Sequence, residues 1–110
     1  MTSLQESDRE AAAVAVAPRV SLKDIERKID FVRYETADNA FGYIDADMAI
    51  MTLCLVKCTN GFMVIGKSAP ASPENFNADL GKKLAYEDAI RQLWPLMGFA
   101  LRDKLAKDSA

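Results

Sequence analysis

The sequence contains no histidine, and its five glycines and two cysteines are few and scattered. The commonest acid–base group and metal ligand is therefore missing, and no Gly-rich phosphate loop or zinc-type cysteine spacing occurs. No apolar run approaches the roughly 20 residues that cross a bilayer, and the N-terminus lacks the basic segment of a secretory signal. We therefore expect a cytoplasmic, non-enzymatic protein with no cofactor, no catalytic residues and no metal site.

Charge identifies no partner either. The formal net charge is −2, half of the residues are hydrophobic and 27% are charged, which is an ordinary composition for a soluble domain. Basic residues are mixed with acidic ones along the chain, so nucleic-acid binding ranks below the alternatives. A chain of 110 residues has room for one domain with a small core, and self-association is the expected supplement to its stability.

The chain divides into an arm and one domain. Residues 1–19 pass from polar residues into an Ala-rich run that ends at Pro18, with no large side chain to anchor them, so they predict a disordered or loosely helical arm. Residues 20–108 predict a single α+β domain. Within it, Ser21 and Asp24 match a capping box and predict a short helix over residues 22–30.

The segment over residues 31–47 shows no clear period and predicts an irregular loop. Aromatic side chains clustered among polar ones in a loop are typical of a recognition surface, because aromatics bring a large contact area at small entropic cost. A loop folded over the core is the alternative. The best candidates for partner contact are Phe31, Arg33, Tyr34, Phe41 and Tyr43.

A β-hairpin is the strongest local prediction. Asn60-Gly61 between two apolar runs favours a two-residue type I′ turn, which would place Cys58 opposite Met63 and Leu55 opposite Gly66. One face of this hairpin would pack on the helix that follows it. The opposite face would still be apolar and would need a covering layer, either residues 44–50 or another subunit. We expect homo-oligomerisation there, through Leu53, Leu55, Phe62 and Val64.

A long amphipathic helix should follow, from a start near Ser72-Pro73 or at Asn75 or Asn77 to about residue 106, with a kink or a break at Pro95. Cys54 and Cys58, four residues apart in one strand, are expected to be free thiols.

Anion binding is a separate hypothesis for the beginning of this helix. Because helix N-termini and lysine ammonium groups favour anions, Asn75, Lys82 and Lys83 are candidate anion-binding residues, with Arg33 and Tyr34 as further candidates in the loop. A solvated helix face is the alternative for the two lysines.

Three separated blocks in the same order carry a family resemblance: Asn60–Ser68, Ser72–Gly81 and Leu93–Leu101. Together they resemble a family of small tailed-phage and prophage proteins, the gene 49/gene 66 type, over the C-terminal half of the chain. The resemblance implies a phage accessory protein in the bacterial cytoplasm, a class in which inhibitors and decoys of host machinery are common. It carries over no catalytic residues.

Two functional hypotheses follow. The first is a counter-defence or host-takeover inhibitor that binds a host protein through protein–protein contacts. The second is an oligomeric sponge that sequesters a nucleotide immune signal. A nucleic-acid-binding regulator ranks third and an enzyme last.

Overall fold

The computed structural model describes residues 2–109 and shows an α+β arrangement, as predicted. Four helices and three strands are present: α1 (Ser3–Val14), α2 (Leu22–Arg27), β1 (Ile29–Thr36), α3 (Ala37–Phe41), β2 (Thr52–Cys58), β3 (Met63–Ser68) and α4 (Ala78–Asp108). Short 3-10 turns at Met48–Ile50 and Pro73–Asn75 precede β2 and α4. The strands form one antiparallel sheet in the order β1-β2-β3.

The core lies between one face of the sheet and α4. Strand β2 alternates strictly between buried and half-buried positions, and its buried side chains belong to Thr52, Cys54, Val56 and Cys58. From α4, Ala85, Ala89, Ile90 and Leu93 pack against them, and Ile25 of α2 closes one end. The opposite face of the sheet points away from every helix.

Both N-terminal helices begin with capping boxes. The predicted box of α2 is confirmed: Asp24 N donates to Ser21 Oγ (3.1 Å) and Ser21 N donates to Asp24 Oδ2 (2.9 Å). Helix α1 has a second box from Thr2 and Gln5. Its Leu4 side chain is buried in the core, so the expectation that these residues contain no anchoring side chain was wrong.

The prediction of an irregular loop over residues 31–47 was wrong for the first half of this segment. Helix α2 already ends at Arg27, and β1 then pairs along β2 from Ile29↔Cys58 to Thr36↔Thr52, with an irregularity between Ile29 and Phe31. Polar residues occupy both faces of β1, which conceals the two-residue period of a strand. The second half contains α3 and an irregular connection to residue 47.

The hairpin is confirmed, but its predicted turn and register were wrong. Gly61 N donates to Cys58 O (2.9 Å) and Cys58 N donates to Phe62 O (2.8 Å), so three residues, Thr59 to Gly61, form the loop. Only Gly61 has a positive φ there (91°), whereas a type I′ turn needs positive φ at Asn60 as well.

The extra loop residue shifts the pairing by one position, to Lys57↔Met63 and Cys54↔Gly66. A shift of one residue moves every side chain of a strand to the other face. Val64 therefore lies in the core, while Met63 and Ile65 point away from α4.

Asn77 caps the N-terminus of α4, because its Oδ1 accepts a hydrogen bond from Leu80 N (3.0 Å). Of the two outcomes predicted at Pro95, a kink or a break, the structure excludes the break, because α4 continues through this residue to Asp108. Trp94 donates from Nε1 to Val20 O (3.0 Å), which ties the middle of α4 to the segment before α2.

Candidate interaction surface

The face of the sheet that points away from α4 carries three side chains from each strand, and we call it the outer face. Pairing arranges these side chains in rows: Phe31, Lys57 and Met63; then Arg33, Leu55 and Ile65; then Glu35, Leu53 and Lys67. Side chains at paired positions stand on the same side of a sheet, about 5 Å apart. The outer face is therefore a continuous surface with Leu53 and Leu55 in the middle strand, Lys57 at the end of that strand, Arg33 beside Leu55 on β1, and the charges of Glu35 and Lys67 at two corners.

Apolar side chains on this face are accessible. Met63 and Ile65 expose 54% and 55% of their surface, and Phe31, Leu53 and Leu55 are half-buried by their neighbours within the sheet. The Arg33 guanidinium lies 4.8 Å and the Lys57 ammonium 5.6 Å from the centre of the Phe31 ring, so both cations lie near this ring of β1. Leu53 and Leu55, in the middle of the sheet, are only partly shielded from solvent.

The structure divides the predicted partner-contact residues among three places. Phe31 and Arg33 belong to the outer face. Tyr34 lies on the helix-facing side of β1, where its ring centre is 5.9 Å from the Lys82 ammonium. Phe41 and Tyr43 lie at the end of α3 and in the turn after it, 72% and 66% exposed, beside a fully exposed Ile44. We call Phe41, Tyr43 and Ile44 the aromatic tip.

Two of the four predicted self-association residues, Leu53 and Leu55, lie on the outer face. Phe62 is half-exposed at the hairpin turn, next to the outer face, and Val64 is buried under α4. Met63 and Ile65 take the place assigned to Val64. Asn60-Gly61 also permits a three-residue loop, and the register of such a loop would have placed Met63 and Ile65 on the outer face from the sequence alone.

The sequence model of the family described as "Phage protein (N4 Gp49/phage Sf6 gene 66) family" matches residues 20–105. The chain belongs to this phage family. The match includes β1 and the aromatic tip, so it reaches further than the C-terminal half over which the sequence blocks were recognised. No curated protein and no solved structure matches the chain.

The match leaves α1 outside the family region, although Leu4, Ser7 and Ala11 of α1 line a cleft against α4. This cleft has a volume of about 590 Å³, and its floor is formed by Trp94, Gly98 and Leu101 of α4. At its mouth, Arg19 forms an ion pair with Asp8 (2.9 Å). The cleft is mainly apolar. Arg19 is paired with Asp8, and the second cation of the lining, Arg91, donates a hydrogen bond to Ser3 Oγ (2.9 Å).

The candidate anion-binding residues of this family member are not gathered in one cavity. Lys82 lines a cavity of about 150 Å³ with Tyr34 and Phe76, Asn75 lines another of about 80 Å³, and Lys83 lines neither. Small-molecule sites usually have volumes of roughly 300–1,000 Å³.

Both thiols are buried under α4 as free cysteines, in agreement with the sequence prediction. Burial raises the pKa of Cys54 to about 11 and also raises the pKa of Cys58, because a thiolate loses its hydration there. Cys54 therefore stays protonated and is a poor nucleophile at neutral pH. No cluster of three or more potential metal ligands occurs in residues 2–109, and none of the helices described there has the length and hydropathy to cross a membrane.

Proposed function

We propose that this phage protein is a non-enzymatic accessory protein of the bacterial cytoplasm that self-associates and inhibits a host protein, with a component of a defence system as the target class. Membership of a phage family supports the setting in an infected cell. The outer face of the sheet carries the proposal: it is an apolar surface over which the described chain places no layer.

Self-association is supported by the free energy that would be gained if a second copy covered the apolar side chains of the outer face. Each apolar Å² removed from water contributes about 25 cal/mol. Leu55, at the centre of the outer face, is half-buried, and the side chains that pack from α4 and α2 lie on the opposite face of the sheet, so contact with another molecule would bury its remaining exposure. The face therefore fits a protein surface better than it fits a small ligand, which would need a concave site.

The host contact that we propose is the aromatic tip. Phe41 and Tyr43 are far more exposed than aromatic side chains of a soluble domain usually are, and Gly42, with φ of 66°, turns the chain between them. Exposed aromatics are enriched in protein–protein contacts, where each can fill a pocket on the partner. The tip lies at the end of the sheet where β1 stops, apart from the rows of the outer face.

A direct test combines capture with matched variants. The chain with an affinity tag would be expressed in its bacterial host, crosslinked and purified at native salt, and any retained protein would then be produced pure and titrated against the purified chain. The double variant Phe41→Ser and Tyr43→Ser should weaken that binding at least tenfold, the size of one lost contact residue at an interface.

The control is Val16→Ser, which removes a fully exposed apolar side chain from the segment between α1 and α2. It should leave the affinity unchanged. Equal affinities of wild type and the double variant would contradict the assignment of the tip, and the absence of any saturable host partner would contradict the proposed function itself.

A further inference from the structure

We infer that two copies of this chain pack outer face against outer face, about a twofold axis that runs parallel to β2, so that Glu35 of each copy meets Lys67 of the other. This inference rests on the proposed self-association and gives it a partner, a surface and a symmetry. Charge complementarity across the outer face decides between the ways in which two copies can meet.

Pairing through the edge of β3 is disfavoured because α4 already occupies it. The Asp88 side chain accepts a hydrogen bond from Lys67 N (2.9 Å), and Gln92 Nε2 donates to Ile65 O (2.7 Å). A strand added at this edge would have to displace both. Natural proteins commonly protect the edges of their sheets in this way, and the edge of β3 is therefore not open to a strand from a second copy.

An axis parallel to β2 places β1 of one copy over β3 of the other. Each row of one copy then faces the same row of the second copy. Leu53 then faces Leu53 and Leu55 faces Leu55 in the centre, while Phe31 faces Met63. In the third row, Glu35 faces Lys67 at both corners. The arrangement buries the leucines and forms the same ion pair twice.

An axis across the strands gives a poorer fit. It exchanges the first and third rows, so Arg33 faces Arg33 in the middle row and Glu35 faces Phe31. Like charges brought face to face cost energy, and a carboxylate against an aromatic ring has no compensating partner. The axis parallel to β2 avoids both contacts, and it places Arg33, whose guanidinium lies 4.8 Å from the centre of the Phe31 ring, opposite Ile65.

Within residues 2–109, the corner charges Glu35 and Lys67 form no ion pair. The ion pairs of this part of the chain are Arg19–Asp8 and Arg27–Asp24. Glu35 Oε1 accepts from Thr36 N (3.1 Å) and Asn39 Nδ2 (3.0 Å), which holds its carboxylate at the rim. Each charge is therefore free to pair with a second copy.

One like-charge contact remains, between the two copies of Lys57 at the axis. Its ammonium lies over the Phe31 ring, 5.6 Å from the centre, and so leans away from the axis toward β1. The face itself is small, about 14 Å across the strands and about 17 Å along them. Standard interfaces bury about 800 Å² per partner, so we expect a dimer that dissociates on dilution.

The symmetry has a consequence for the proposed function. A rotation about an axis parallel to the strands keeps both copies pointing the same way along that axis. Both aromatic tips, which follow the end of β1, then lie at the same end of the dimer. Two tips side by side could engage a dimeric target or two copies of one target with increased avidity.

Complementary charge reversal tests this arrangement. Glu35→Lys would bring two ammonium groups together at both corners, and Lys67→Glu would bring two carboxylates together there. Each variant alone should dimerise at least tenfold more weakly than the wild type. An equimolar mixture of the two restores an opposite pair at both corners and should form a heterodimer within about threefold of wild-type affinity.

Dimerisation would be measured by analytical ultracentrifugation, with Lys83→Glu as a charge-matched control on the exposed side of α4. Glu35→Gln and Lys67→Gln repeat the test without charge reversal and should each weaken dimerisation less than the reversals do. A wild-type dimer that is insensitive to both reversals, or a mixture that stays monomeric, would overturn this arrangement while leaving self-association intact. A wild type that is monomeric at every concentration would overturn self-association too.

Discussion

The close approach of β3 to α4 at Gly66 makes Gly66→Ala a severe perturbation. A Cβ atom added there would lie 2.0 Å from Ala85 O and 2.6 Å from Ala89 N, whereas ordinary contacts begin near 3.4 Å. Both obstacles are backbone atoms, so no side chain can rotate away, and the helix would have to move outward by about 1.4 Å. Overpacking a core costs about 1–3 kcal/mol, and we place this substitution at the upper end.

A loss of about 3 kcal/mol should lower the melting temperature by roughly 10–20 °C in a domain of this size. Urea unfolding followed by circular dichroism would measure the free energy of unfolding directly. Gly98→Ala is the matched control, because a Cβ there would meet no atom within 4 Å and a helical alanine should stabilise by about 0.5–1 kcal/mol. If Gly66→Ala unfolded at the wild-type urea concentration, the packing of β3 on α4 described above would be refuted.

Four further predictions concern stability and thiol chemistry. Ser21→Ala should cost about 1 kcal/mol by removing a cap, which thermal melts would detect. Because hydrogen bonds from Ser21 lower the pKa of Asp24 below 3.8, the stability they contribute is complete above that pH and is lost as the pH falls through the lowered pKa; an acid titration of Asp24→Asn should lack this loss. Cys54 and Cys58 should react with a thiol reagent only on unfolding, and fast labelling of the native protein would contradict their burial. Gly61→Ala should cost about 1 kcal/mol because its φ of 91° strains a side chain, and an unchanged midpoint would refute the turn geometry.

Features decided by neighbouring residues could be predicted from the sequence. The capping box at Ser21 and the cap at Asn77 need only a few residues of chain, and the α+β class followed from two apolar runs and a long helical period. The hairpin register could not be predicted in the same way. Thr59, Asn60 and Gly61 allow both a two-residue and a three-residue loop, and the choice is made by α4, which needs Gly66 rather than a larger side chain against it.

Strand β1 was missed for a related reason. Its core-facing positions include Tyr34 and Thr36, and its outer positions include Arg33 and Glu35, so neither face has the apolar alternation that marks a half-buried strand. Pairing with β2 forms this edge strand, and pairing is not visible in the sequence of one segment. Because β1 was missed, the sequence-based prediction assigned Phe31 to a loop and separated it from Leu55, although both side chains lie on the outer face.

The most direct test of the central claim is the mass of the protein in solution, measured by sedimentation equilibrium for the wild type and for Leu55→Asp. Leu55 lies at the centre of the outer face, where an aspartate would face its own copy across the axis. We predict a reversible dimer of the 12.1 kDa chain for the wild type and a folded monomer for the variant, with Leu96→Asp on the exposed side of α4 remaining dimeric. A monomeric wild type, or a Leu55→Asp variant that dimerises as strongly as the wild type, would contradict the claim.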